Sequence, residues 1–324
     1  MIYDLEPYHG KNARNIPVSY SEISMYKECK RKWWLTYYRG LSPLKYELIG
    51  PLPLGTRVHF ALERKYKHGE NPVTAYTRQL NIDRGVFESG PDGQVEEKVK
   101  KFNDEAELGR LMVEGYEEWL EESGEDDKYS VLAVEKEVSH PFLDGRFRVR
   151  GKVDLKVEDN IDGAILSMDH KTSARPSDFN TIAMNSEQLM MYTLLEKLNN
   201  EDGAPVEGGI YSILKKVKRT KNAKPPFYTR IVVRFNDDTM KSYWTRLNGT
   251  LRDMIRTRDE LDAGADHRYV AYPTPTKDCA WKCPFFQVCP LFDDGSAAES
   301  MLYNHFTIKN PYERYENDET EQEI

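Results

Sequence analysis

The sequence predicts an α/β protein, a mixed central sheet flanked by helices. Three observations carry that reading. Helical patterning comes first along the chain. From about residue 131 the period changes to the alternation of strands. One helical segment, about 185–199, then separates three strands from two more, and a long helical stretch follows. Helices that precede, interrupt and follow a run of strands can cover both faces of one sheet.

Taken in order, residues 1–18 read as an irregular N-terminal arm. Ser19 and Glu22 have the S-x-x-E spacing of a capping box, in which each side chain satisfies an orphan donor, so a helix is expected from about Ser19. It carries Cys29 and then the basic and aromatic run KRKWWLTYYRG. Pro43, Pro51 and Pro53 mark a loop. A helix over about Gly55–His68 puts His59 and Glu63 four apart, on one face. Residues 85–105 are polar and broken by Gly and Pro, which reads as a loop, and 104–122 read as a helix. VLAVEKEVSHPF, FRVRGKVDLKV and GAILSMDHKT are the first three strands, with turns at Asp144-Gly145 and Asp162-Gly163. GGIYSILKKV and FYTRIVVRF are the next two, joined by a basic loop. Residues 238–263 read as helical and 272–290 as irregular. Residues 19–311 are expected to make a single domain, with its sheet at about 131–235, and 312–324 an acidic, disordered tail.

The chain has 324 residues and a formal net charge of −8, which argues against a protein coated in nucleic acid. It does not exclude a nuclease, which needs only a local basic track beside its carboxylates. The charge is uneven: residues 215–224, KKVKRTKNAK, hold six Lys/Arg and no acid, whereas 312–324 hold six acids and one Arg. No stretch approaches the roughly 20 apolar residues of a membrane span, and the N-terminus lacks the apolar run of a secretory signal. A cytoplasmic location, with reduced thiols, is the expectation.

The cysteines are Cys29, Cys279, Cys283 and Cys289, a C-x3-C-x5-C trio with a fourth far upstream. Three close cysteines in a reduced compartment point to metal rather than to disulfides. Thiolates suit both zinc and iron–sulfur clusters, and buried unpaired thiols are the plainest alternative. Zinc ligands usually come as two local pairs, which this spacing does not show.

A second group carries different chemistry. Asp154 lies in the strand GKVDLKV. Asp169 and Lys171 lie two apart in SMDHKT, hence on one strand face. Phosphodiester hydrolysis needs a cation, an activated water and a stabilised leaving oxygen. A carboxylate would hold the cation, and an adjacent ammonium would orient the water and meet the developing charge. Alone, D-x-K is weak evidence, since an exposed strand-face ion pair is worth only about 0–1 kcal/mol and arises by chance. Here the charges end an apolar run, GAILSM, patterned for a core.

These motifs together resemble the RecB-like PD-(D/E)XK exonuclease family, and within it the CRISPR-associated and AddB-type relatives that carry an iron–sulfur cluster. SYSEISMYKEC resembles the segment delivering the first cluster cysteine, LGTRVHFALE the G-x-x-x-H-x-x-x-E helix, and RGKVDLKV the G-x-x-D strand. MDHKT resembles the D-x-K-T strand, EQLMMYTLL the Q-x-x-x-Y helix, and CAWKCPFFQVCP the closing trio. The likeness covers roughly residues 17–290. It departs at C-x3-C, where the family usually has C-x2-C, and at Lys30, where a proline often follows the first cysteine.

The resemblance implies a PD-(D/E)XK nuclease core with a helical, Cys-rich lobe (segments of about 19–40 and 272–290) closed by a [4Fe–4S] cluster on Cys29, Cys279, Cys283 and Cys289. It implies Mg²⁺ or Mn²⁺ held by His59, Asp154, Asp169 and the backbone carbonyl of His170. Asp154, Asp169 and Lys171 would be catalytic, with Gln188 and Tyr192 touching DNA backbone or supporting Lys171. Glu135 or Glu137 can add a carboxylate, with nothing in the sequence to choose between them. The implied substrate is DNA, single-stranded or at duplex ends. The implied setting is recombination, repair or CRISPR-type processing, with a recombinase, helicase or CRISPR adaptation protein as partner, and a phage origin fits equally. Lys215, Lys216, Lys218, Arg219, Lys221 and Lys224 read as a phosphate clamp or as a solvated hairpin tip. Trp33, Trp34, Tyr37 and Tyr38 can stack on bases of a single strand or pack inside the lobe. A non-catalytic iron–sulfur or zinc DNA-binding adaptor, and an RNA nuclease, are the competing readings.

Overall fold

The computed structural model describes residues 9–315 apart from 11, 12, 45, 46 and 202; the expected acidic tail falls largely outside the described residues. The element order is β1 (Ile16–Ser19), α1 (Tyr20–Glu28), α2 (Lys30–Trp33), β2 (Leu41–Pro43), α3 (Pro51–His68), α4 (Pro72–Ser89) and α5 (Glu96–Ser123). Next come β3 (Tyr129–Phe142), β4 (Phe147–Asp159), β5 (Ile165–Ser173), α6 (Ser177–Ile182), α7 (Glu187–Leu198), β6 (Val206–Lys215) and β7 (Tyr228–Arg234). The chain continues with α8 (Asp237–Asp262), α9 (His267–Val270), α10 (Cys279–Lys282), α11 (Ala298–His305) and β8 (Phe306–Ile308). No helix among the described residues is long and apolar enough to cross a membrane.

The chain divides into two compact units: one from the described residues of 1–46, 139–151 and 241–324, the other from 47–138 and 152–240. The second unit holds a mixed sheet. β4 pairs antiparallel with β5, β5 parallel with β6, and β6 antiparallel with β7; β3 also pairs with β4. The parallel β5–β6 pair is joined through α6 and α7, as a parallel connection requires. β5 is buried along most of its length, so its run of apolar residues has no polar alternation. β4 alternates buried and half-buried residues, and Asp154 shares the half-buried face with Lys152 and Lys156. Helices α3 and α5 contribute Leu54, Val58, Leu62, Met112, Val113 and Tyr116 to a core that also takes in Leu214 and Tyr228. Gly209 on β6 is what lets α7 lie close: a Cβ there would stand 2.8 Å from the Ser167 carbonyl oxygen and 2.9 Å from Leu189.

In the first unit β1 pairs parallel with the start of β4, Ile16 opposite Phe147 and Ser19 opposite Arg150, so the end of the expected irregular arm is a strand. β2 and β8 form a separate antiparallel pair. Half of the expected capping box forms. The Ser19 side chain accepts from the Glu22 N–H, but the Ser19 N–H goes to the Tyr312 hydroxyl at 3.2 Å. The Glu22 carboxylate is buried instead, accepting from Trp33 Nε1 at 2.9 Å and from Tyr312, with Arg258 at 3.7 Å. The helix does not run through Cys29. That residue is extended, ending α1, and the chain re-enters helix as α2 and a π-helical turn over Trp34–Tyr38. Trp33, Trp34, Tyr37 and Tyr38 are all buried, which removes them as a stacking platform for bases.

Two more expectations fail for local reasons. Pro51 and Pro53 open α3 rather than a loop, because proline's missing N–H costs nothing in a first helical turn. The expected loop at 85–105 is the end of α4, a short 3-10 turn over Pro91–Gln94 and the start of α5. Gly85 sits inside a helix, and only Gly90 and Gly93 mark the break.

Candidate active site

β4, β5, α3 and α7 bring the chemistry of the second unit together. Because Leu155 pairs with Met168, Asp154 on β4 lies beside Asp169 and Lys171 on β5. Lys171 Nζ stands 2.6 Å from Asp169 Oδ2. His59, from α3, puts Nδ1 3.4 Å from Asp154 Oδ2, and the His170 N–H donates to that same oxygen at 2.7 Å. From α7, Gln188 Nε2 donates to Asp169 Oδ1 and to the Tyr192 hydroxyl, both at 3.0 Å. The glutamine thus holds Asp169, where the sequence pointed to Lys171 or DNA. The Asp169 side chain is 5% exposed and that of Lys171 28%, so the acid is sealed while the ammonium reaches the surface.

Burial and charge set the proton states. Burial alone would raise the Asp154 carboxyl, but His59, with His170 and Lys171 behind it, outweighs burial and holds it well below the usual carboxylate range. Burial works against the His59 charge, yet the Asp154 carboxylate wins and lifts the imidazole to about 9. Burial pushes Asp169 up, opposed by Lys171 and reinforced by the Asp154 charge. Burial also disfavours the Lys171 ammonium, and the Asp169 carboxylate more than restores it. Two neighbouring carboxyls pushed in opposite directions are a pattern found where acid and base roles are divided.

Glu135 joins this group. Glu135 has a left-handed backbone (φ 50), an uncommon conformation for a residue with a Cβ. It pairs with Lys152 at 3.4 Å, and burial, then the Asp154 charge, push its carboxyl to about 7. No sequence signal separates it from Glu137, which is the same residue type two positions along the same strand.

The family model described as the PD-(D/E)XK nuclease superfamily matches residues 17–290, which include every motif residue described above. The chain belongs to that superfamily. No curated protein matches the chain. Nucleases of this superfamily usually use Mg²⁺ or Mn²⁺. The donors here suit such a hard cation in type: an imidazole and two carboxylates, one of which, Asp169, has its Oδ2 buried without a well-directed hydrogen bond. Among the described residues, however, no three His, Cys, Asp or Glu side chains are gathered into a ready cage. Ion pairs with His59 and Lys171 hold the carboxylate oxygens instead, so a cation would have to displace them.

The basic loop is partly committed within the protein. Lys218 pairs with Asp104 at 2.6 Å, and Lys215 donates to the Lys224 carbonyl at 3.0 Å. The Arg219 guanidinium lies 3.8 Å from the Phe227 ring centroid and donates to the Tyr228 hydroxyl at 2.6 Å. Lys221 and Lys224 are exposed, and Lys216 is half-buried.

In the first unit, Cys29, Cys279, Cys283 and Cys289 are half-buried free thiols. Their sulfurs sit among donors. The Thr274 N–H points to Cys29 Sγ at 3.4 Å, the Thr276 N–H to Cys279 Sγ at 3.3 Å, and Arg31 Nη1 to Cys289 Sγ at 3.8 Å. Burial raises the Cys283 and Cys289 thiols, and the Cys29 charge adds to both. Donors aimed at sulfur stabilise thiolate and suit a metal or cluster ligand.

Proposed function

We propose that this protein is a metal-dependent DNA exonuclease of the RecB-like kind, acting from DNA ends in recombination, repair or CRISPR-type processing in the cytoplasm. The observation that supports it most is the convergence of Asp154, Asp169, Lys171 and His59 at the end of a buried strand, where isolated charges are least expected. His59, Asp154 and Asp169, with the backbone of His170, would hold Mg²⁺ or Mn²⁺. The cation would supply charge neutralisation at the phosphate.

The chain's own residues do the rest. The Lys171 ammonium, anchored by Asp169, orients the attacking water and faces the charge that develops on the phosphate. Gln188 keeps one Asp169 oxygen turned away from that lysine, so the two oxygens have separate tasks. Tyr192 holds the glutamine in turn. Lys216, Lys221 and Lys224 track the phosphate backbone, while Lys215, Lys218 and Arg219 shape the loop. In the other unit, Cys29, Cys279, Cys283 and Cys289 would hold a [4Fe–4S] cluster, which would tie the Cys-rich segments together.

The deciding experiment digests end-labelled and circular DNA, single- and double-stranded, with Mn²⁺ or Mg²⁺, beside Lys171→Ala. Cleavage from ends by the wild type, and a loss of about 10²–10³-fold or more in the variant, is expected. Equal cleavage by both would remove the site assignment. Because the site's charges already pair with one another, a DNA-binding adaptor without catalysis is the second reading; wild-type binding with no cleavage under any cation would favour it.

A further inference from the structure

The sheet face opposite Asp169 and Lys171 carries a buried row of polar side chains that the proposed chemistry does not use. His170, Ser212 and Arg230 are register neighbours across β5, β6 and β7. The Arg230 side chain is 2% exposed. Its Nη2 pairs with Asp126 and reaches the hydroxyls of Tyr116 at 3.1 Å and Tyr66 at 3.3 Å, and its Nη1 donates to the Glu125 carbonyl at 2.8 Å. The Tyr66 hydroxyl donates to both Asp126 oxygens, at 3.0 and 3.1 Å, and the Tyr116 hydroxyl meets Ser212 Oγ at 3.0 Å. One guanidinium thereby fixes side chains from α3 and α5, and the turn after α5, onto the sheet.

The two tyrosines it fixes box in the His170 ring. Tyr66 stacks on that ring at 5.8 Å and 15°, and Tyr116 meets it edge-on at 6.3 Å. His59 closes a third side at 6.2 Å. Neither His170 ring nitrogen has a hydrogen-bond partner, so packing alone locates the ring. The same residue's N–H holds Asp154 Oδ2, and its neighbours in the strand are Asp169 and Lys171. Any shift of the ring is passed to all three.

We infer that Arg230 is a positioning residue for the Asp154–Asp169–Lys171 group, acting through Tyr66 and Tyr116 on His170. The inference rests on the nuclease reading for its purpose but not for its geometry. A buried cation contacting two aromatic hydroxyls and a carboxylate is more than the sheet needs for stability, since an apolar side chain of like volume would fill the space at no desolvation cost. What the guanidinium adds is direction: its planar fork fixes several acceptors at once, which a lysine cannot do.

The test measures Mn²⁺ affinity by calorimetry and DNA cleavage against Mn²⁺ concentration for the full chain. The variants are Arg230→Met, Arg230→Lys, Tyr116→Phe and, as a control for stability alone, Phe87→Leu in the α4–α5 cluster. Arg230→Met is expected to weaken Mn²⁺ binding about 10–100-fold and to shift the Mn²⁺ requirement for cleavage by the same factor. The KM for DNA should stay within about twofold. Arg230→Lys and Tyr116→Phe should fall between this and wild type, and they decide the matter if Arg230→Met does not fold. Phe87→Leu should lower Tm and leave Mn²⁺ affinity unchanged. Wild-type Mn²⁺ affinity in the folded Arg230 and Tyr116 variants, or equal weakening in Phe87→Leu, would overturn the positioning role. A wild type that binds Mn²⁺ without cutting DNA, while the variants lose binding, would keep the positioning role and sink the nuclease reading. A wild type that neither binds Mn²⁺ nor cuts would sink both.

Discussion

At the scale of single residues, the charges that matter are the buried ones, because water no longer screens them. Asp169 and Lys171 were visible in the sequence as a pair two apart on a strand, and the strand's burial gives the pair its meaning. Glu22 shows the opposite case. Its spacing from Ser19 suggested a helix cap, yet the carboxylate is sealed in the first unit among Trp33, Tyr312 and Arg258. Burial pushes its carboxyl up, and Arg258, Tyr312 and Trp33 pull against that. Removing one member of such a group strands the Arg258 charge in the interior, which costs about 3–5 kcal/mol. Glu22→Ala is therefore expected to lower the denaturation midpoint strongly, whereas a pure cap residue would cost about 1 kcal/mol. Chemical denaturation of the variant separates the two readings, and a loss of 1 kcal/mol or less would return Glu22 to the helix cap.

At the scale of elements, strands were easier to read than helix junctions. The three strands before α7 and the two after it fall within a few residues of their expected places, since a period of two with turn residues at its ends is a local signal. The stretch 85–105 differs from its expected loop because its Gly and Pro punctuate a break between two helices. α9 offers a test of pH dependence. His267 stacks on Trp34 at 4.4 Å and 13°. Burial lowers its pKa, Arg31, Arg268 and Arg39 add to the effect, and Asp266 opposes it. The folded protein therefore keeps this ring neutral where the unfolded chain, with an ordinary value near 6.5, takes up a proton. Stability from this site is present above about pH 6.5 and is lost as pH falls below it. His267→Phe keeps the stack and should flatten the fall in Tm between pH 7.5 and pH 5.5. An unchanged slope would assign the acid sensitivity to other groups.

At the scale of the whole molecule, the chain passes between two units four times, and the cysteines lie at both ends of the first. Ligands so far apart in sequence tie down a large loop when they share one group, although closure entropy grows only slowly with length. Metal or cluster binding also adds its free energy to folding. Anaerobically prepared protein should contain iron and acid-labile sulfide, and Cys29→Ala should lose both. It should also become more sensitive to proteolysis within residues 9–46 and 241–315. Zinc without iron would assign a four-thiolate zinc site, and neither metal would leave four ordinary thiols, three of them meeting Thr274, Thr276 and Arg31.

The sequence by itself determined the succession of strands over about 131–235, the placement of Asp154 on one strand and of Asp169 and Lys171 on the next, and His59 on a helix, because each depends on spacing along one element. Family membership follows from the same motifs in order. Only the tertiary structure decided that Glu135 joins the carboxyls, that Gln188 holds Asp169, and that Arg219 turns inward onto Phe227. It also decided that the ring of His170, between Asp169 and Lys171 in sequence, faces away into an aromatic box. A residue's type and its neighbours fix which face of an element it occupies. Its partner is supplied by another element, often more than a hundred residues away as in Tyr116 and Arg230, and no local period encodes that distance.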